Sequence, residues 1–425
     1  MNDIVKDKTN YYSKVHIFFK IGVFCFVILI TDITNLIRFV FDVIVKFRMM
    51  MQDKRYFELF FIFLFSCLLA STSCKKLPVD DISNSESEPV NLSADGCANC
   101  YVASDSGSYM FVPTKGNSSE AVGEIGSVAV LWESYETDVT PTDGTLIRNL
   151  KYNDGNISFM IPEPFKEGNA VIAAKTKNGR ILWSWHIWIT DKPRKVVYNN
   201  NAGAMMERNL GATGWQAGQP GSLGLMYQWG RKDPFPGSAS ISSNTFAMSS
   251  ATWPEKVSSN SMTGTINYVI ENPMTFVTSN SNNNDWYYTG TRETDNTRWT
   301  DSSNEKSVYY PCPHGWRVPD GGYDGVWAKA AGSGSYFYDY PYDHTGEGMN
   351  FSNKFSSAGN VWYPASGYVS YNNAALSGVG TYGCYWTATS YGYSAYCLYF
   401  NDSGSVVPSD FNHRANAFAI RCVQE

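Results

Sequence analysis

Charge is scarce in this sequence. Only 17% of its 425 residues are Asp, Glu, Lys or Arg, and the net charge is −6. No basic stretch exceeds a short pair such as Lys75-Lys76, which argues against a nucleic-acid partner. Histidine is scarcer still: five copies, scattered along the chain, do not predict a histidine-rich metal centre. The HExxH, G-x-S-x-G and P-loop motifs are all missing, and with them the chemistry each supports. Long periodic helices are missing too. The best helix candidate is "GVWAKAA", with Asp320 or Asp324 as its cap. Uninterrupted apolar runs are short. The segment Ile21 to Thr31 falls well below the about 20 residues that span a bilayer, and its extension carries Asp32, Arg38 and Asp42.

What the chain has in quantity is aromatic side chains, at 15%, and glycine, at 35 residues. With frequent Asn and Ser, this composition predicts many short strands joined by turns. Residues 1–48 are expected to be an upstream extension or a non-native start. Residues 49–73 then show the three-part layout of a secretory signal: Lys54-Arg55, an apolar run from Phe57 to Ala70, and small residues before Cys74. That layout resembles a bacterial lipoprotein processing site, in which Cys74 would carry the lipid. The stretch 74–95 is polar and acidic and is expected to be a flexible tether.

Residues 96–192 are expected to form an all-β sandwich. "YVASDSGSYMFVP", "GSVAVLWES", "GNISFMIP" and "GNAVIAAKT" read as strands, and Asn178-Gly179 as a hairpin turn into "RILWSWHIWITD". Both faces of that last strand are apolar, so it should be buried on both sides. His186, on this strand, reads as a hydrogen-bonded structural residue. Residues 193–425 read as a loop-rich α+β domain.

The candidate sites are few. Cys97-Ala98-Asn99-Cys100 is a CxxC before a strand, without the helix that a redox pair requires, and reads as a disulfide, internal or with another chain. Excluding Cys74, six cysteines remain after the signal, suiting three bridges in an oxidising compartment. In "CPHGWRVPD", Cys312 and His314 could be a nucleophile and its base. The flanking Pro313 and Gly315 favour an exposed turn instead. Asn401-Asp402-Ser403-Gly404 lacks the flanking glycines of a serine-protease loop. Tyr336, Tyr338, Tyr340 and Tyr342 alternate on a glycine-bounded segment. Two readings stand for them: a ligand-binding platform that stacks on sugar rings, or a half-buried strand of an aromatic core. No metal ligand set is assigned, although Asp339, Asp343 and Glu347 leave a structural calcium open.

"RNLGA", "GLMYQWGRKDPFPG", "CPHGWRVPD", "WYPASGY", "YWTATS" and "AFAIRCV" follow one another between Arg208 and Val423. Together they resemble the Fibrobacter succinogenes major paralogous domain found on Bacteroidota surface lipoproteins, over roughly 195–425. That family is similar to C-type lectin-like and formylglycine-generating-enzyme-like folds. The resemblance implies a C-type lectin-like domain and bridges Cys312–Cys422 and Cys384–Cys397. It also implies a lipid-anchored protein of the outer membrane, at the cell surface, with no catalytic residues and no cofactor. Its expected role is non-catalytic binding or adhesion, as a glycan- or protein-binding component of a fimbrial tip. The alternatives are a structural pilus or surface-assembly subunit and, third, an oxidoreductase of the formylglycine-generating type.

Overall fold

A computed structural model describes residues 88–425 apart from 136–141, 143, 248–254, 301–302 and 304. The signal, Cys74 and most of the expected tether lie outside the described residues. Glu86–Glu425 forms one compact unit. Among the described residues no helix is long and apolar enough to cross a membrane.

The N-terminal strands are β1 (Val90–Asn91), β2 (Cys100–Ala103), β3 (Gly107–Phe111), β4 (Ser127–Ser134), β5 (Arg148–Asn153), β6 (Asn156–Ile161), β7 (Gly168–Lys175) and β8 (Ile181–Ile189). They make two four-stranded sheets, β1-β3-β6-β5 and β2-β8-β7-β4. Inward residues of both, among them Phe111, Ile157 and Phe159 facing Ile172, Trp183 and Trp185, form one core. The Asn178-Gly179 turn sits where expected, with Gly179 at φ +83°. A second hairpin lies at the corner that precedes "GNISFMIP". Asp154-Gly155 turns β5 into β6 with both residues at positive φ, the conformation that Asp-Gly favours. A departure lies at the tether's end, where β1 already pairs in parallel with β3.

β8 explains how the two halves are joined. Trp183, Trp185, Ile187 and Ile189 enter the sandwich core, while Trp188 belongs to the core of the C-terminal half. Alternation along a strand sends successive side chains to opposite faces, so this strand, buried on both, is mostly apolar on each, with Ser184 and His186 the polar exceptions.

The later strands are β9 (Lys195–Tyr198), β10 (Gly203–Met206), β11 (Tyr227–Gln228), β12 (Glu255–Ser258), β13 (Thr275–Thr278), β14 (Trp316–Arg317), β15 (Tyr342–Asp343) and β16 (Gly348–Asn350). They continue with β17 (Trp362–Pro364), β18 (Ser366–Val369), β19 (Leu376–Val379), β20 (Tyr382–Tyr391), β21 (Ser394–Asn401), β22 (Val406–His413), β23 (Ala417–Phe418) and β24 (Val423–Gln424). The largest sheet runs β11-β23-β18-β20-β21-β22, with β19 on β18. Beside it lie β14-β24-β10-β9, β15-β16-β17 and the parallel pair β12-β13.

Two short helices are described. The expected one, α2 (Val326–Ala331), is capped by Gly325 rather than by Asp320 or Asp324. Asp320 is instead held by Arg317 in a two-pronged ion pair. Gly332 ends this helix in the left-handed conformation. The other, α1 (Ile266–Glu271), was not expected. Thr265 caps it by accepting from the Tyr268 amide at 3.1 Å.

Candidate binding face and cleft

The six sequence motifs converge, and they bind one another. Asn209 Oδ1 accepts from Arg421 Nη2 at 2.9 Å, and Trp386 Nε1 donates to the Tyr227 carbonyl at 2.9 Å. Trp229 Nε1 donates to the Thr387 carbonyl at 2.9 Å. Cys312 is bonded to Cys422, with Cα atoms 6.3 Å apart. The Arg421 guanidinium sits 3.7 Å from the centre of the Tyr363 ring. Arg208 grips Asp191 with both terminal nitrogens, at 2.6 and 3.1 Å. Apart from the exposed Asp191, these side chains are buried and partnered, so they build the frame; Trp362, the first residue of "WYPASGY", differs in having no acceptor for its indole N–H and in lining a cleft. His314 is exposed on its turn, and its neighbour Cys312 is consumed by the bridge.

The other expected bridges are absent. Cys97, Cys100, Cys384 and Cys397 are free thiols. The register of β20 against β21 places Cys384 opposite Tyr399 and Cys397 opposite Trp386. The two cysteines are therefore diagonal neighbours, with a typical separation of about 7–8 Å, beyond the usual span of a disulfide. Cys97 and Cys100 diverge as well. The Cys100 thiol turns toward His186, while Cys97 lies beside the Tyr101 hydroxyl.

Cys100, His186 and Asn169 form a constellation the sequence did not suggest. Asn169 Nδ2 donates to the Gly211 carbonyl at 2.9 Å, which fixes the amide so that Oδ1 faces His186 Nε2 at 2.8 Å. Nε2 therefore carries the proton, and Nδ1 accepts from Cys100 and Tyr227, each at 3.4 Å. The types are those of a thiol protease triad, but the electrostatics are opposite to what one needs. Burial pushes the Cys100 thiol up and the imidazole down to about 3. Both groups stay neutral, so no thiolate–imidazolium pair forms. His186 is the hydrogen-bonded structural residue expected of it.

Surface chemistry concentrates along β22. Residues 334–340 run antiparallel to this edge strand: Ser409 Oγ donates to the Gly334 carbonyl at 2.6 Å, Phe337 bridges Val406, and the Tyr340 amide donates to Gly404 at 3.1 Å. Strict alternation would put the four tyrosines on one face, but Asp339 takes a left-handed conformation at φ +54° and breaks the run between Tyr338 and Tyr340. Tyr336 and Tyr338 are 59% and 66% exposed, and their rings stack at 6.3 Å. Tyr340 turns inward and stacks on Phe351 at 5.0 Å. Tyr342 donates its hydroxyl to the Gly380 carbonyl at 2.6 Å and lines a cleft. Tyr340 and Tyr342 thus pack as the half-buried reading expects, while Tyr336 and Tyr338 stay exposed. Tyr391, Tyr393 and Phe411 add exposed rings near the β20–β21 hairpin, and Tyr391 lies 4.5 Å from Phe411. The Asn401 to Gly404 stretch is a tight turn, in which Asn401 Oδ1 accepts from the Ser403 and Ser405 amides.

The cleft has a volume of about 260 Å³. Pro341, Tyr342 and Trp362 give it apolar walls, and Asp343, Asn350 and Asn360 a polar rim. Among the described residues no group of three or more His, Cys, Asp or Glu is placed to hold a metal ion.

Compared with known proteins, the chain matches no family model, no curated protein and no solved structure.

Proposed function

We propose that this chain is a cell-surface lipoprotein of the major paralogous domain type, anchored in the outer membrane through Cys74, with a non-catalytic binding role. Its C-terminal half is then a C-type lectin-like frame, and the ligand is a glycan or a surface protein. The observation that carries this reading is the stacked, exposed Tyr336–Tyr338 pair on the segment that leads into the cleft. Tyrosine offers large, rigid contact area at low ordering cost together with a polar tip, which suits recognition. The mutual satisfaction of the motif residues supports a framework role for them, and the neutral Cys100–His186 pair offers no nucleophile. A place at a fimbrial tip extends this proposal.

The test is adhesion of cells that express the full chain, with and without Tyr336→Ser and Tyr338→Ser together. Loss of attachment to glycan- or protein-coated surfaces in the double variant, at equal surface display, is the expected result. Unchanged attachment would overturn the assignment of this face.

A structural role is favoured by one feature. β1 is a two-residue edge strand, exposed at both positions and laid in parallel on β3, where an incoming strand from another subunit could replace it. Co-purification of assembled fibres with this chain, lost on deletion of residues 88–92, would support that second reading.

A further inference from the structure

We infer that the cleft between β15, β16 and the start of β17 is a subsite for one neutral pyranose ring; this deepens the binding reading above and rests on it. The polar groups carry the argument. Asp343 Oδ1 accepts from the amides of Thr345 and Gly346 at 2.9 and 3.0 Å, which leaves Oδ2 without a protein donor. Ser352 Oγ donates to Asn350 Oδ1 at 2.6 Å and meets the side-chain amide of Asn360 at 3.3 Å. Ser352 Oγ is itself held by the Val361 amide at 3.0 Å. One hydroxyl proton serves one carbonyl: Asn350 Oδ1 takes it and also accepts from the Ser352 amide at 2.9 Å, so the Asn350 NH₂ is left without a protein acceptor. An amide donor on Asn350, the free end of the Asn360 amide and a carboxylate acceptor at one rim match the alternating donors and acceptors of adjacent sugar hydroxyls.

The walls agree with that rim. Trp362 is 4% exposed, yet its indole N–H has no acceptor in the protein. Leaving a buried donor unpaired is costly, so a ligand oxygen that reached it would gain more than an exposed contact does. Pro341 and Tyr342 complete apolar surface that suits the C–H faces of a sugar ring. No Lys, Arg or His lines the cleft, which disfavours sulfated, phosphorylated or carboxylated ligands. A single carboxylate does not make a cation site. The volume of about 260 Å³ lies just below the about 300–1,000 Å³ of drug-sized ligand pockets and fits one ring rather than an extended ligand. The Gly218 amide donates to the Gly346 carbonyl at 3.2 Å, which fixes Ala217 as part of the lining.

The experiment titrates the full chain in detergent with the methyl glycosides of glucose, galactose, mannose and N-acetylglucosamine, followed by saturation-transfer NMR and tryptophan fluorescence. At least one glycoside should bind saturably with a millimolar dissociation constant. Asn360→Ala, at an exposed position where folding is not at stake, should weaken it roughly tenfold. Trp362→Phe should weaken it as well, whereas Tyr336→Ser with Tyr338→Ser should leave it unchanged. Saturation by none of the four, or binding indifferent to both Asn360→Ala and Trp362→Phe, would overturn the subsite. Adhesion that fails only in the double tyrosine variant would leave the adhesive face standing in that event. Saturable glycoside binding by a chain whose adhesion is indifferent to the tyrosines would sustain the subsite and overturn only the face.

Discussion

Lys232 Nζ donates to the carbonyl of Ser184, on the sandwich strand β8, at 2.9 Å. The Ser184 hydroxyl donates to Asp233 Oδ1 at 2.6 Å, and Lys232 pairs with the same oxygen at 2.7 Å. The "GRKDPF" motif of the C-terminal half therefore ends on the back of the N-terminal sandwich, in a closed and buried polar triangle.

Asp233→Ala should destabilise the protein by about 3–5 kcal/mol, because it strands the Lys232 charge in a buried site. Replacing both residues, as Lys232→Met with Asp233→Ala, should cost less than the sum of the single changes. Urea unfolding measures both. A single-variant loss below about 1 kcal/mol would mean that water or another group compensates the lysine.

His186 makes stability depend on pH. Its folded value, about 3, lies below the ordinary imidazole value of 6.5, and the cause is burial. Between those values the unfolded chain binds a proton that the folded one refuses. Stability from this residue is therefore full above pH 6.5 and lost as pH falls toward 3. The slope is about 1.4 kcal/mol per pH unit. His186→Gln should flatten the profile of unfolding free energy between pH 4 and 6 by about that slope. An identical profile would place the proton elsewhere.

The cysteines separate by access and by bonding. Under non-reducing digestion, Cys312 and Cys422 should appear as one linked peptide pair. Removing both as alanines should cost about 4–5 kcal/mol, since the bridge closes a loop across a sequence separation of 110 residues. Alkylation of the native protein should label Cys97, which is half-buried, and spare Cys100, Cys384 and Cys397, whose thiols burial pushes up. Protection of Cys384 and Cys397 that persists in denaturant without reductant would restore the bridge between them.

Much of the frame was legible because its signals are local. β8 announced its double burial by carrying Trp183, Trp185, Ile187 and Ile189 on one alternating set and Leu182 and Trp188 on the other, and Asn178-Gly179 announced its turn. The Asp154-Gly155 hairpin was equally legible, and so was Thr265 as a cap, yet both are short signals flanked by polar residues that read as loop. The bridge between Cys384 and Cys397 failed for a different reason. Pairing depends on the register of β20 against β21, and a shift of two residues between opposite partners is invisible in spacing along the chain. The site was hidden similarly. Asn350 and Asn360 are unremarkable in sequence, Trp362 stood out only as the start of "WYPASGY", and Ser352 between the two amides is what links them. The tyrosine segment was visible at once, but its division into exposed and inward rings depends on the left-handed turn of the backbone at Asp339, which the residue pattern does not announce.

That division gives a last, ordered prediction. Tyr336→Ser and Tyr338→Ser remove rings that lie mostly in water, so each should change stability by no more than about 0.5 kcal/mol. Tyr340→Ser removes a ring stacked on Phe351, and also its hydroxyl bond to the Asn350 carbonyl at 2.9 Å. It should cost about 1–3 kcal/mol. Adhesion should follow the opposite order, falling most for the two variants that leave the melting temperature unmoved. If Tyr340→Ser instead abolished attachment while Tyr336→Ser and Tyr338→Ser preserved it, the exposed rings would be surface without function, and attachment would depend on the shape of the β16 region that Tyr340 supports.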